Sequence, residues 1–301
     1  MNKILNTIKF LTVISLSFYF ISCCTSENFD NEFYPLQKLI AIPEINEVQR
    51  EEFNRNILSE YISVKQANGI EFSGYTTKNK IFLEKVITPL VEPHLADISK
   101  LKQTEIINYF TLFGFEIYQR YMGKSFYRWG GDILDLDHPQ ESGTRNKCRF
   151  GLDCSGFVTM PYELAVYFRL MSEDETLFSS KGYQKYCVVN EKQDIGGRDG
   201  TSNNFRLDTR ELNELGTEVL RLEKGQVPTN EQIKLLQPGD IVGRSGHFGI
   251  IAELNGEPYY FESGGRVVPR NGGIPVNALD ALKIFASTGS ITVRRCLRSK
   301  E

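Results

Sequence analysis

Apolar side chains in the first third of the chain recur at a helical spacing. Residues 44–68 and 78–91 each place apolar side chains three or four positions apart, which is the repeat of one helix face. Pro89 and Pro93 are predicted to end the second run, because proline has no N–H to donate within a helix. The pattern predicts a helical N-terminal region over residues 39–104.

Two longer helical runs follow along the chain. Thr104 is predicted to cap the first, which continues to Gly123 with a dense set of apolar and aromatic side chains. The second is predicted to begin at Cys154, after a short loop of small residues. Pro161 lies inside this second helix and is expected to kink or end it.

The pattern changes to that of strands near the C-terminus. A type II turn at Pro238-Gly239 leads into the first strand, and Asn255-Gly256 is a dipeptide that favours a tight hairpin. Further strands are predicted over His247–Leu254, Pro258–Ser263 and Ile291–Leu297. Helices followed by consecutive antiparallel strands indicate an α+β fold rather than alternating βαβ units. Residues 172–236 are loop-rich, with one helical piece predicted over 208–222.

The first 22 residues have the composition of an export signal. Lys3 and Lys9 accompany a run of 12 mostly apolar residues, Phe10–Ile21, which is too short to span a membrane. The following Phe20-Ile21-Ser22-Cys23 resembles a bacterial lipobox. This resemblance implies that residues 1–22 are a lipoprotein signal peptide and that Cys23 is lipidated.

The lipobox predicts a lipid-anchored protein of the bacterial cell envelope, on the outer membrane or on a membrane that faces the periplasm. Residues 23–38 are polar and acidic and suit a flexible tether. Cys24 leaves the identity of the lipidated residue open, and an ordinary secreted protein or an uncleaved anchor is the alternative. The formal net charge is −3, so no nucleic-acid partner is expected.

Cys154 is the foremost candidate for chemistry. A helix N-terminus presents backbone N–H groups and the positive end of the helix dipole, and both stabilise a thiolate. The same N–H groups can hold a developing oxyanion. A cysteine nucleophile also needs a base within hydrogen-bond reach, and histidine is the usual one.

The chain has three histidines that could serve as this base. His94 follows a proline in a predicted turn, and His138 lies in a polar loop whose spacing does not favour a metal site. His247 begins a strand beside two glycines and is the candidate base. Glu262 on the returning strand can hold the other ring nitrogen, although a solvent-facing glutamate is the alternative. No metal or cofactor is expected. Cys148, Cys187 and Cys296 form one disulfide or remain as small buried thiols.

Four sequence blocks occur in the order found in the NlpC-type cell-wall cysteine peptidases, which are papain-like enzymes of bacterial envelopes. The blocks are Gly123 through Tyr127-Arg128-Trp129-Gly130-Gly131, Asp153-Cys154-Ser155-Gly156-Phe157-Val158, Leu236-Gln237-Pro238-Gly239-Asp240-Ile241-Val242 and His247-Phe248-Gly249-Ile250. They resemble the family's G-x-P-Y-x-W-G-G, D-C-S-G-F-V, L-x-P-G-D-L-V and H-V-G-I-Y blocks, with Phe126 in place of the proline. Four blocks in order make the resemblance specific.

The resemblance implies a papain-like catalytic domain over residues 105–301, in which the helix that carries the nucleophile packs on an antiparallel sheet. It implies Cys154 as nucleophile, His247 as base and Glu262 in the place of the third polar residue. It places Tyr127, Trp129, Asp153 and Ser155 beside the substrate. The implied activity is that of a thiol peptidase that hydrolyses amide bonds in peptidoglycan stem peptides.

Two features depart from the family. The separation of Cys154 and His247 is longer than usual, so residues 172–236 are interpreted as an insertion that forms a lid or cleft wall. Glu262 stands where histidine, asparagine or glutamine is usual. A papain-like hydrolase or acyltransferase with another substrate therefore stays open, as does a catalytically silent wall-binding lipoprotein. A surface lipoprotein whose residues 39–104 mediate assembly is a further alternative.

Overall fold

The described part of the chain folds around an antiparallel sheet with helices on both faces. The computed structural model describes residues 42, 44–56, 79, 81–122, 126–127, 151–178, 212–244, 246–263 and 275–297. Internal contacts divide the chain into residues 1–35 and 36–301, and every described residue belongs to the second unit. The predicted signal peptide, Cys23 and the tether lie outside the described residues.

Several short helical segments precede the first long helix. Residues 47–56 are helical. A later helical stretch consists of the π-helical Leu83–Ile87, the α-helical Thr88–Val91, the 3₁₀-helical Glu92–His94 and the α-helical Leu95–Ile98. The prediction that Pro89 and Pro93 end this stretch is wrong. Each proline lies at one of the first two positions of a segment of a different helix type, and the backbone stays helical across both boundaries.

Two long helices follow, α1 over Gln103–Met122 and α2 over Cys154–Tyr167. Thr104 is not the cap of α1, since the helix already begins at Gln103. At the start of α1 the Lys102 N–H instead donates a hydrogen bond to the Glu105 carboxylate at 2.7 Å. The prediction that Pro161 ends α2 is also wrong, since the helix continues to Tyr167. Pro161 is buried within α2, and packing of this helix outweighs one lost backbone hydrogen bond.

Six strands make up the sheet within the described residues. They are β1 Thr217–Leu222, β2 Ile241–Arg244, β3 His247–Leu254, β4 Glu257–Phe261, β5 Val276–Asn277 and β6 Ile291–Arg295. Their order is β1-β6-β2-β3-β4-β5, every neighbouring pair is antiparallel, and β1 and β5 form open edges. The α+β class with an antiparallel sheet is therefore confirmed.

Both predicted turns are present. Asn255 and Gly256 have positive φ angles of 53° and 78° and join β3 to β4, as a tight hairpin turn requires. At the other turn the Asp240 N–H donates to the Gln237 carbonyl at 3.0 Å, and Gly239 has a φ of 94°. These turns set the entry to β2 and the register of β3 with β4.

Two elements differ from the sequence-based expectation. The helical piece predicted over 208–222 is wrong for residues 217–222, which form β1 and pair with β6. Leu212 is helical, and residues 208–211 lie outside the described residues. The buried Leu220 and Leu222 flank the exposed Arg221, and this alternation is the period of a strand. β1 lies inside the predicted insertion. The second difference is a helix that no prediction included, α3 over Ala278–Thr288, which is capped by the Asn277 side chain at the Leu279 N–H.

The core is divided between the two faces of the sheet. α1 and α2 pack against β3, and α3 packs against β4, β5 and β6. The side chains buried with α1 and α2 include Phe110, Phe157, Val158, Ile250 and Phe261. Those buried with α3 include Val242, Ile251, Tyr260, Phe285 and Val293. Among the residues that the structure describes, no helix combines the length and apolar character needed to cross a membrane.

Candidate active site

Cys154 is the first residue of α2, as the sequence predicts, and is 6 % exposed. Asp153 is the N-cap, and its Oδ1 accepts hydrogen bonds at 2.8 Å from both the Gly156 N–H and the Ser155 hydroxyl. Capping by an aspartate satisfies one of the N–H groups that a helix start leaves without a partner. Asp153 and Ser155 therefore hold the start of α2 in place.

The first predicted sequence block lies beside the nucleophile block. Tyr127 forms a parallel bridge with Leu152, and the Leu152 N–H donates to the Phe126 carbonyl at 3.1 Å. The Phe126 ring is buried and packs against Phe157 of α2, with centroids 5.5 Å apart. The structure thus brings the half-buried Tyr127 next to the segment that leads into Cys154. Trp129 lies outside the described residues.

His247 and Glu262 form a buried pair. His247 Nε2 lies 2.6 Å from Glu262 Oε2, and the two side chains are 1 % and 3 % exposed. The alternative of a solvent-facing Glu262 is therefore wrong. A carboxylate can be buried at this depth only when it is hydrogen-bonded, ideally to a cation. Since Nε2 is used by Glu262, Nδ1 is the ring nitrogen of His247 that this pair leaves available.

Tyr260 adds a second hydrogen bond to the same carboxylate oxygen. Its hydroxyl donates to Glu262 Oε2 at 2.9 Å. Burial, followed by the neighbouring negative charge of Glu262, raises the pKa of Tyr260 well above its ordinary value. The hydroxyl therefore stays protonated and remains a donor.

Gly249 makes room for Tyr260 on the sheet. A Cβ atom at position 249 would lie 2.2–2.4 Å from atoms of the Tyr260 ring and hydroxyl, so no larger residue fits. The other side of the ring meets Phe285 of α3 edge-on, with centroids 5.0 Å apart. The glycine of the fourth sequence block and the unpredicted helix α3 together hold the Tyr260 ring in position.

Cys154 is linked to these side chains through the packing of its helix. α2 packs against β3, the strand that begins with His247. A negative charge at Cys154 is the last and smallest of the influences on the raised pKa of Tyr260, after burial and the charge and hydrogen bond of Glu262.

The third sequence block has a structural part in this arrangement. Asp240 forms a bidentate ion pair with Arg295 of β6, with both N···O distances at 2.8 Å. The Tyr162 hydroxyl of α2 donates to the Gly239 carbonyl at 2.6 Å. The block therefore ties α2 and β6 to the start of β2.

The other candidates for chemistry do not join the pair of His247 and Glu262. His94 lies in the short 3₁₀ segment before α1, and His138, Cys148 and Cys187 lie outside the described residues. Cys296 is a buried thiol that forms no disulfide, and burial raises its pKa far above the ordinary value. Among the described residues, no cluster of histidine, cysteine or carboxylate side chains could hold a metal ion.

Two residues near the site were missed at the level of sequence. Tyr260 lies two positions before Glu262 and so shares its face of the returning strand, a signal that could have found it. Asn79 contacts Gly151 although 72 residues separate them, and no local pattern points to that contact.

Comparisons with known proteins add no relative. No family model, no curated protein and no solved structure matches this chain. The case for a function therefore depends on the chemistry of the site itself.

Proposed function

We propose that the chain is a cysteine peptidase or amidase, with Cys154 as nucleophile, His247 as acid and base, and Glu262 as the group that orients His247. One observation carries the proposal. The histidine that begins β3 is buried and hydrogen-bonded at 2.6 Å to a buried glutamate, on the strand against which the helix headed by a cysteine packs.

Two local features act on the charge of the Cys154 thiol. The start of α2 favours a thiolate by about 0.3–1 kcal/mol. The Asp153 carboxylate opposes it, but its Oδ1 is already engaged by Gly156 and Ser155. Glu262 holds the His247 ring through the 2.6 Å hydrogen bond, as the third member of a triad does.

The reaction follows from these roles. The Cys154 thiolate attacks the amide carbonyl carbon, and the carbonyl electrons move to oxygen. His247 gives its proton to the leaving amine as the C–N bond breaks, which leaves a thioester. A water molecule then attacks the thioester carbon while His247 takes its proton, and the carboxylic product leaves as the C–S bond breaks.

The oxyanion needs donors near the start of α2. The Gly156 N–H is excluded from this role because it donates to Asp153. We expect the N–H of Cys154, with help from Tyr127, to meet the oxyanion. One such donor is worth about 10²–10³ in rate in other enzymes.

The substrate class in this proposal is the stem peptide of peptidoglycan. Support comes from the four sequence blocks that resemble the NlpC-type peptidases and from the lipobox that ends at Cys23. A papain-like core is part of the proposal, and the packing of α2 on antiparallel strands supports it. The proposed location is the cell envelope, with the chain held to a membrane by a lipid at Cys23.

The decisive test is cleavage of muropeptides by residues 25–301. Products are analysed by mass spectrometry for new amine termini, which are expected from the wild type and absent from Cys154→Ala and His247→Ala. Cys296→Ala is the matched control, because it removes a buried thiol away from the site and should cleave at the wild-type rate.

The alternatives give different results in the same experiment. Rapid alkylation of Cys154 by iodoacetamide without any cleavage would mean that the enzyme acts on another acyl substrate and not on peptidoglycan. Slow alkylation without cleavage would contradict the proposed enzymatic function and favour a catalytically silent, wall-binding lipoprotein.

A further inference from the structure

A buried amide from the N-terminal part of the chain contacts the loop ahead of Cys154. Asn79 is 0 % exposed. Its Nδ2 donates to the Gly151 carbonyl at 3.1 Å, and the Gly151 N–H donates back to its Oδ1 at 3.4 Å. The side-chain amide therefore pairs with the Gly151 backbone as a neighbouring strand would.

Tyr118 of α1 orients this amide. Its hydroxyl donates to Asn79 Oδ1 at 3.2 Å, so the oxygen of the amide must face Tyr118 and the nitrogen must face the Gly151 carbonyl. The Tyr118 ring is itself held by Phe82 and Phe126, with centroids 5.0 and 5.6 Å away. The contact to Gly151 is thus a fixed feature of the core.

The loop that receives this contact has a backbone that needs support. Gly151 has a φ of 133°, in a region that residues with a side chain rarely adopt. Its neighbour Leu152 is held from another direction by Phe126 and Tyr127. Residues 151 and 152 are therefore clamped by two separate parts of the chain, directly before the Asp153 cap and Cys154.

We propose that Asn79 is a positioning residue for the nucleophile, which acts through Gly151 on the placement of Cys154. The inference rests on the proposed function. It makes the part of the chain before α1 that includes Asn79 a component of the active site rather than a separable module.

Loss of the amide should affect reactivity more than stability alone explains. Asn79→Ala leaves the Gly151 N–H and carbonyl without these partners and frees the backbone ahead of Cys154. Since a misplacement of 1 Å at a reacting group can cost about a hundredfold in rate, we expect kcat to fall about ten- to hundredfold. KM should change little, because Asn79 is fully buried and does not face substrate.

Asn108 of α1 provides a matched control. Its Nδ2 donates to the Glu253 carbonyl at 3.3 Å, and the Glu253 N–H donates to its Oδ1 at 2.7 Å. This is the same reciprocal pairing by another buried asparagine. Glu253 lies near the end of β3 that is far from His247. Asn108→Ala should therefore lose similar stability with no loss of Cys154 reactivity.

The experiment compares the protein without its signal peptide in four forms: wild type, Asn79→Ala, Asn108→Ala and the milder Tyr118→Phe. For each we measure urea unfolding, the rate of Cys154 alkylation by iodoacetamide, and kcat and KM for muropeptide cleavage. The expected order of alkylation and kcat is wild type and Asn108→Ala together, then Tyr118→Phe, then Asn79→Ala. If Asn79→Ala fails to fold, the alkylation rate and kcat of Tyr118→Phe are compared with those of Asn108→Ala, and lower values for Tyr118→Phe support the inference.

Two results would overturn the inference. One is alkylation of Asn79→Ala at the wild-type rate, and the other is an equal loss in Asn108→Ala. A wild type that neither cleaves nor alkylates would instead defeat the proposed function. The clamp is then judged by hydrogen exchange at the Leu152 and Gly156 amides. Faster exchange in Asn79→Ala than in Asn108→Ala supports the clamp, and equal exchange overturns it.

Discussion

At the scale of single residues, one carboxylate oxygen organises the candidate site. Glu262 Oε2 meets both the His247 ring and the Tyr260 hydroxyl. A charge-assisted hydrogen bond to a buried carboxylate is about twice as strong as one between neutral groups. The negative charge of Glu262 should therefore contribute more to holding His247 than the shape of the Glu262 side chain does.

Glu262→Gln tests the charge of this residue. Glutamine keeps an acceptor for His247 but carries no charge, so the hydrogen bond that holds the ring should be weaker. We expect the rate of Cys154 alkylation near neutrality to fall about tenfold. Glu253→Gln makes the same change at the far end of β3 and should leave the rate unchanged. An unchanged rate for Glu262→Gln would show that the pair does not act on the thiol.

Tyr260→Phe tests the second hydrogen bond. The ring stays against Phe285, and Glu262 keeps its bond to His247. The free energy of unfolding, measured by urea titration, should fall by about 1 kcal/mol, which is the usual net contribution of one hydrogen bond. The alkylation rate should fall less than in Glu262→Gln. A loss as large as that of Glu262→Gln would assign Tyr260 a direct part in the chemistry.

At the scale of elements, the start of α2 and the pairing of β3 with β4 place the reactive groups. The Asp153 cap defines where α2 begins and so where Cys154 lies. The hairpin at Asn255-Gly256 sets which residues of β3 and β4 face each other. Both devices are local, and the packing of α2 on β3 relates them to each other.

Asp153→Ala and Asp153→Asn separate the cap from the charge. Alanine removes the acceptor for Gly156 and should lower the free energy of unfolding by about 1 kcal/mol. Asparagine keeps an acceptor but removes a negative charge next to Cys154. Its alkylation profile should therefore shift to lower pH with little loss of stability. An unshifted profile would mean that the Asp153 charge does not act on the thiol.

Gly249→Ala tests the close approach of Tyr260 to β3. The added Cβ lies inside the van der Waals distance of the ring, so the ring must move and Glu262 loses its support. We expect a loss of about 1–3 kcal/mol in unfolding free energy, as for other overpacked cores, together with slower alkylation of Cys154. Gly289→Ala is the control, because a Cβ there meets no atom within 4 Å. Equal stability of the two variants would contradict the contact.

At the scale of the whole molecule, the helical stretch before α1 and the sheet share one core. Phe82, Leu83, Ile87 and Val91 are fully buried in the same cluster as the side chains of α1, α2 and β3. Burial of each such side chain is worth about 1.5–3 kcal/mol. Their combined contribution is comparable to the total stability of an ordinary domain.

Truncation tests this shared core. A chain that begins at residue 103 should lose cooperative thermal unfolding as measured by circular dichroism, because the exposed surface of α1 and α2 is left without its cover. A chain that begins at residue 36 keeps every described residue and should unfold in one transition. Cooperative unfolding of the shorter chain would show that residues 36–102 are dispensable for folding.

Local chemistry explains which parts of the site could be predicted. The aspartate before Cys154, the apolar side chains after it and the Asn255-Gly256 dipeptide each act over a few residues, so the start of α2 and the hairpin follow from the sequence. The alternation of β3 and β4 likewise places His247 at the start of β3 and Glu262 directly after β4. The predictions that helices end at Pro89, Pro93 and Pro161 are wrong, because the effect of a proline depends on its position within the helix and on the packing around it.

The sequence by itself determined the elements that carry Cys154, His247 and Glu262, since caps, turns and strand alternation are set by neighbouring residues. Only the tertiary structure decided that Glu262 is buried, that Tyr260 shares its oxygen, that β1 joins the sheet and that Asn79 holds Gly151. These features depend on burial and on hydrogen bonds between residues far apart in the chain. Their free energy arises only when the whole core is assembled, so no local pattern records them.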